Sequence, residues 1–356
     1  MSRIFTRIDN FTRSEFWFAD GNIVVVSGHS AFKVHRGQLE RHSEVFKDLF
    51  SIPQPAIQDL YDGCPWVELY DAPADILFLF TALYDGLYFK KPNAQNFLAV
   101  AAVLRLSTKY LIEHLRQRCL IHLGLDWPST LEGWDLREKD AVDDAGRYSP
   151  RDTCPHPILV INLAKELDLS HLLPAAFYDL SRYGPRRIVS GTPNPALSCS
   201  PPPDSSSSES QTLYLDRDEL RMILIGREAG QRFLSSFIEA ELNSRSIAAD
   251  CTNRQHDEGR ACRDSSYYVM LNVLRAVGGI THGRDADPLF TLIQTVEMLS
   301  RTDFTDGVRR CGLKICGACK TDLAECVGRA RQHVWNLIPE WFGLTACISP
   351  NILDMS

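Results

Sequence analysis

Ile23-Val24-Val25-Val26, directly after the turn residues Asp20-Gly21-Asn22, most limits what this chain can become. Four consecutive β-branched residues pack well on a pleated surface, and with no polar gap they belong in a strand covered on both faces. Such a strand needs neighbours. Phe32 and Val34 alternate as a second strand and Trp66-Val67-Glu68-Leu69 as a third. Helical patterns fill the space around them. Ser43 is a good N-cap for a helix turning Phe46, Leu49 and Phe50 inward, and Pro73 starts one carrying Ile76, Leu77, Phe80 and Leu83 up to Gly86. Asn93 caps a stripe of Phe97, Val100, Ala101 and Leu104, and Ser107 caps the next, with Leu111, Leu115 and Cys119. Strands, helices, one more strand and then helices predict an α+β unit over residues 14–125, preceded by a tail over 1–13.

Past Leu125 the texture changes. Residues 126–156 are polar and acidic with little periodicity, which predicts a long surface loop. Helical patterns return over 157–189. Residues 190–211, with SPPPDSSSSES inside, are too poor in apolar side chains to offset the entropy of folding, so disorder is expected. Residues 212–356 read as a helical domain. Asp218 opens a stripe of Leu220, Ile223 and Leu224, continued after Gly226 by Phe233, Phe237 and Ile238. Asp287-Pro288 supplies an N-cap and a first-turn proline ahead of Leu289, Leu292, Ile293, Val296 and Leu299. The last stripe, Leu323, Val327, Ala330, Val334 and Leu337, stops at Pro339, and Trp341-Phe342 should pack back onto the domain. Residues 244–266 read as another polar loop.

A chain of 356 residues with formal net charge −7 argues against a direct nucleic-acid binder, whose affinity rests on clustered Lys and Arg. The longest apolar run, Ile76 to Leu83, is far short of the ~20 residues a membrane helix needs. MSRIFTRIDNF has no apolar export core, so the expected compartment is cytosolic or nuclear, and the eleven cysteines read as thiols or metal ligands before disulfides.

The cysteines are where chemistry can reside. Cys316-Gly317-Ala318-Cys319 is C-x2-C, and Cys251 and Cys262 form a looser pair upstream. Four thiolates meeting tetrahedrally would hold a structural zinc, with Cys311, Cys326 and His256 as spare candidates. The competing reading is packing, since Cys316 and Cys319 extend the stripe of Leu323, Val327 and Ala330 backwards. The pair His35 and His42, seven apart, lacks a third ligand or nucleophile nearby. Enzyme signatures are missing. Gly278-Gly279 with Gly283 lacks phosphate-loop spacing, and there is no G-x-S-x-G, H-E-x-x-H or P-loop. The acidic pair Asp143-Asp144 reads as solvated charge, and no catalytic residue is expected.

Taken in order, Asp20 before Ile23 to Val26, Phe32-Lys33-Val34-His35-Arg36, Leu39, Ser43-x-x-Phe46-x-x-Leu49-Phe50, Val67-x-Leu69-x-Asp71, Ala82-Leu83-Tyr84-Asp85-Gly86 and two further helices with Cys119 in the second resemble a BTB/POZ domain. ADGNIVVV, FKVHRGQLERHSEVFKDLF and Ser51-Ile52-Pro53-Gln54-Pro55 are similar to the expanded fungal group of that family. LAKELDLSHLLPAAFYDLSRYG, LIGRE and IPEWFGL resemble the helical region that follows in that group.

The resemblance implies a small sheet with a helical cluster, then a mainly helical domain, acting as a protein-interaction adaptor. It implies a homodimer through an apolar face built from the N-terminal segment and first helices, to which Phe16, Trp17 and Phe18 would contribute; the competing reading of these three aromatics is that they only cover the sheet. It offers two further partners, a cullin scaffold of a ubiquitin ligase or a transcriptional co-regulator. In the repressor type an Asp and a basic residue pair inside a groove; here they would be Asp20 and Arg36, although Gly21-Asn22 lengthens the spacing from Asp to His by two residues. His35 would belong to the scaffold, its ring nitrogens satisfying backbone groups, and His42 to the surface.

Overall fold

The computed structural model describes residues 11–52, 60–86, 94–195, 212–243, 245–276, 284, 287–302, 304–305 and 310–345. Several sequence readings lie outside them: residues 1–10 of the tail, Pro53-Gln54-Pro55, the Asn93 cap, residues 196–211 of the Ser/Pro-rich insert, Gly278-Gly279 and Gly283. The chain divides into two compact units, Met1–Asp126 with Asp140–Pro155, and Trp127–Lys139 with His156–Ser356.

The first unit is α+β. Its four-stranded sheet contains β1 (Thr12–Trp17), β2 (Ile23–Ser27), β3 (Ser30–Val34) and β4 (Trp66–Glu68), in the order β1-β3-β2-β4. Strand β2 is wholly buried between antiparallel β3 and parallel β4, which is why its sequence has no polar gap. The β2–β3 hairpin turns at Gly28, whose φ of +54° lies where a side chain is strained. Strand β1 pairs parallel to β3 at the sheet edge. It escaped the pattern because Thr12, Arg13 and Glu15 are exposed and only Phe16 is buried.

Helices α1 (Arg36–His42) and α2 (Glu44–Ser51) follow the hairpin. Ser43 accepts from Phe46 N at 3.1 Å as the expected cap, and its hydroxyl donates to Tyr110 O at 2.6 Å. Helices α3 (Pro73–Tyr84), α4 (Phe97–Lys109) and α5 (Glu113–Asp126) pack in succession. The Ser107 cap is corrected. Ser107 is buried inside α4, and α5 begins six residues later, past Leu111, which takes φ +53° and is 60% exposed. Tyr110 clamps this corner by stacking on Phe46 at 4.5 Å and donating its hydroxyl to Asp71.

The loop expected over 126–156 is also corrected. Residues Leu131–Asp140 form α6 within the second unit, and Pro150–Thr153 form α7, a single turn, in the first. Two of the charges of α6, Arg137 and Glu138, point inward, which apolar periodicity cannot reveal. Arg137 pairs with Asp179 at 2.6 Å and Glu138 at 2.9 Å, its guanidinium lying 4.6 Å from the Trp134 ring centre. Arg182 bonds Glu138 and Asp287, each at 2.8 Å, and also Asp179; Arg284 reaches Glu138 at 2.6 Å. Three guanidiniums thus face three carboxylates, so the interior carries no uncompensated charge from this group.

Around that layer lie α8 (Pro157–Glu166), α9 (Leu173–Ser181), α10 (Pro185–Val189), α11 (Arg217–Phe237), α12 (Arg254–Asp257), α13 (Arg260–Ala276), α14 (Pro288–Glu297) and α15 (Gly317–Trp341). Asp287 is the N-cap of α14, as expected, yet it is also fully buried and accepts from Tyr178 OH at 2.6 Å. Three boundaries differ from expectation. Asp216, not Asp218, caps α11 through a reciprocal box with Glu219. Helix α13 begins at Arg260, inside what read as the loop over 244–266. Helix α15 continues through Pro339 to Trp341, because a proline this close to the end forfeits little hydrogen bonding. Phe342 is fully buried against Phe177, with ring centres 5.8 Å apart. Residues 190–195, expected to be disordered, include Thr192–Pro193, which pairs with Thr212–Leu213.

Candidate metal centre

Three elements of the second unit converge on one point. Cys251 sits in the turn before α12, Cys262 in the first turn of α13, Cys316 at the N-cap of α15 and Cys319 three residues inside it. All four are buried, and their sulfurs lie within 4.8 Å of one another. The Cys251 sulfur is 3.7 Å from that of Cys262 and 3.8 Å from that of Cys316. A tetrahedron with metal–sulfur bonds of ~2.3 Å has edges of ~3.8 Å, which these two distances match, so the cluster lies within metal-binding distance.

The surroundings suit negative sulfur. Cys316 N donates to Cys262 Sγ at 3.3 Å and Ala248 N to Cys319 Sγ at 3.4 Å. Asn253 Nδ2 donates to Cys262 Sγ at 3.3 Å and to Lys314 O at 3.1 Å, tying the turn to the segment leading into α15. Burial raises the Cys316 thiol, but the peptide N–H groups of Cys319 and Thr252 more than offset it and bring it down to about 6. Burial pushes Cys319 up to about 12 and also raises Cys262, so the four sulfurs cannot all be thiolates at neutral pH without a cation. A divalent cation bound there would replace those protons.

Both sequence readings of the C-x2-C were partly right, since Cys319 lies on the buried face of α15 and also turns its sulfur to the cluster. The donors Ala248, Thr252 and Asn253 were missed; only Asn253, two residues after Cys251, left a trace in sequence. The spare candidates stay apart. Cys326 bonds Glu241 Oε2 at 3.1 Å, His256 lies outside the cluster, and the Cys311 side chain is outside what is described.

The residues expected to dock partners are placed differently. Phe16 is a core residue, packed on Phe80 at 6.2 Å and Tyr84 at 5.8 Å, so it is not an interface side chain in this fold. Phe18 lies half-buried over Tyr84 and His35, and Trp17 packs on Tyr61 beneath Arg13. The Asp20–Arg36 pair is not formed. Asp20 meets His35 Nε2 at 3.3 Å, while Arg36 bonds Glu40 at 2.7 Å and Phe50 O at 3.0 Å. With the chain longer by Gly21-Asn22, the carboxylate reaches the imidazole instead. His35 is a scaffold residue, but its ring bonds side chains rather than backbone: Nδ1 is 3.2 Å from Tyr84 OH, which also accepts from His35 N at 3.0 Å. His42 is half-buried, its ring 4.7 Å from that of His114, and does not join His35.

No protein-family model matches the chain, and no curated protein matches it. Among the described residues, no helix is long and apolar enough to cross a membrane.

Proposed function

We propose that this chain is a non-catalytic protein-interaction adaptor. In this reading a BTB/POZ-like docking unit precedes a helical unit whose far end is stapled by Zn2+ on Cys251, Cys262, Cys316 and Cys319. The observation that carries the zinc assignment is the 3.7–3.8 Å sulfur spacing under peptide N–H donors. The metal joins the turn before α12 to the first turns of α13 and α15, elements far apart in sequence, and so contributes folding free energy directly. With all four positions filled by thiolate it has none open for substrate.

Support for the docking role lies in the first unit. Its chemically capable groups are engaged in holding the fold: His35 with Tyr84 and Asp20, and Asp71 with Tyr110 and Lys109. The partners follow from the resemblance: a second copy of the chain, and a cullin or a transcriptional co-regulator. The absence of an Asp20–Arg36 pair favours the cullin over the co-regulator, whose groove uses that pair. The exposed positions of α1 and α2 are Arg36, Gly37, Arg41, Glu44, Lys47, Asp48 and Ser51, a charged face rather than an apolar one. Self-association therefore needs a different surface.

Elemental analysis of the full-length protein, purified without added chelator, should find close to one zinc per chain. Cys316→Ser and Cys319→Ser should each remove most of it. A metal-free, fully folded wild type would end the zinc assignment. Affinity capture should retrieve a cullin with the wild-type chain and lose it with substitutions on the first unit's surface; capture of chromatin co-regulators instead would transfer the role.

A further inference from the structure

Helix α13 is apolar on both sides. Cys262, Val269, Met270 and Val273 are buried on its inner face. On the opposite face Tyr267, Leu271 and Leu274 recur at i, i+4 and i+7 with Tyr268 on the flank, and they are 59%, 38%, 50% and 39% exposed. Elsewhere among the described helices, exposed large apolar residues come singly, as Leu136 on α6 and Val189 on α10, or in pairs, as Ile121 with Leu125 on α5 and Leu224 with Ile225 on α11. A soluble helix ordinarily sets charge opposite its core stripe, and α13 carries charge in its first turns, at Arg260, Arg263 and Asp264, and then not again until Arg275, its penultimate residue.

We propose that this face pairs with the same face of a second copy of the chain, the two α13 helices running antiparallel across a two-fold axis beside Leu271. The inference rests on the self-associating adaptor reading and assigns it a surface. At those exposures the four side chains leave roughly 350–400 Å2 of apolar surface, taking ~200 Å2 for each fully exposed side chain. Two stripes together supply about 750 Å2. If apolar atoms make up ~60% of an interface, the total is about 1,250 Å2, just above the ~1,200 Å2 at which specific interfaces begin. The dimer is therefore specific and weak, with a Kd on the order of micromolar.

Register fits the second copy. An axis passing beside Leu271, between it and Met270, sets Tyr267 of one helix against Leu274 of the other, so the stripe matches itself when reversed.

Sedimentation of the full-length, zinc-replete protein from about 1 to 100 µM tests this. The wild type should pass from monomer to dimer, and Leu271→Arg and Leu271→Glu should each weaken the dimer at least ~100-fold, since each sets like charges together at the axis. Mixing the two variants should restore a heterodimer, which only a symmetric contact at residue 271 predicts. Unchanged zinc content and circular dichroism would show that both variants fold. A dimer indifferent to Leu271→Arg but lost in Lys47→Glu would overturn the α13 assignment and leave self-association standing. A wild type monomeric across the range would overturn both, leaving the stripe to a different protein.

Discussion

Gly226→Ala tests the interior of the helical unit most sharply, because local and tertiary effects have opposite signs. In an exposed helix this substitution gains about 1 kcal/mol, since glycine pays the larger backbone entropy. Here Gly226 lies midway along α11 under the Phe342 ring, and an added Cβ would come within 2.0 Å of Cε1 and 2.3 Å of Cδ1. No contact that short is tolerable. The ring is 1% exposed and wedged against Phe177, so it has nowhere to swing. Deleting a buried phenylalanine costs ~3–5 kcal/mol, and evicting this ring approaches that figure. Set against the helical gain, the net loss is about 2–4 kcal/mol. Urea unfolding of the full-length chain followed by tryptophan fluorescence measures it, four of the six tryptophans being in the second unit. In a Phe342→Ala background the same glycine change should cost nothing or stabilise, giving a coupling of about 3 kcal/mol. A Gly226→Ala protein as stable as the wild type would refute the packing described.

Three further outcomes are expected. A strong chelator, or acid that protonates the cysteines, should release the metal and increase amide exchange around residues 248–262 and 314–319 while the first unit stays protected; uniform exchange with and without chelator would contradict a structural metal. Asp287→Ala removes the α14 cap, the Tyr178 bond and a partner of Arg182, and should destabilise the second unit by about 3–5 kcal/mol; a loss under ~1 kcal/mol would mean the ionic layer is not closed as described. Burial lowers the native pKa of His114, His122 and His171, so the unfolded chain binds more protons below its own value of ~6.5. That stability is present above pH ~6.5 and lost as pH falls toward the lowered native values, so unfolding at pH ~6 should take up protons. Replacing all three with Gln should flatten that part of the stability–pH curve, and an unaltered slope would rule these groups out.

Legibility followed the kind of signal each residue carried. Strand β2, the Ser43 and Asp287 caps and the apolar faces of α2, α3 and α4 were readable because each rests on local pattern or capping chemistry. Strand β1 was not, because an edge strand with one buried residue has almost no period. Helix α6 was misread because its buried side chains include Arg137 and Glu138, which only look like core residues once Asp179, Arg182 and Asp287 are beside them. Helix α13 was obscured because apolar residues on both faces erase the one-sided pattern. The four cysteines were nameable as one candidate set from the C-x2-C spacing and the oddity of cysteines in a polar loop, and the structure brings their sulfurs within 4.8 Å of one another, which sequence spacing alone could not decide.

The amino-acid order by itself determined a small sheet among helices, a helical second half and the identity of the sulfur donors, because propensity, caps and apolar period act within a few residues. Only the tertiary structure decided that Asp20 turns to His35 rather than Arg36, that a glycine must lie beneath Phe342, and that four separated thiols meet within 4.8 Å of one another. Those outcomes depend on distances between segments tens of residues apart, which close only when the whole core packs.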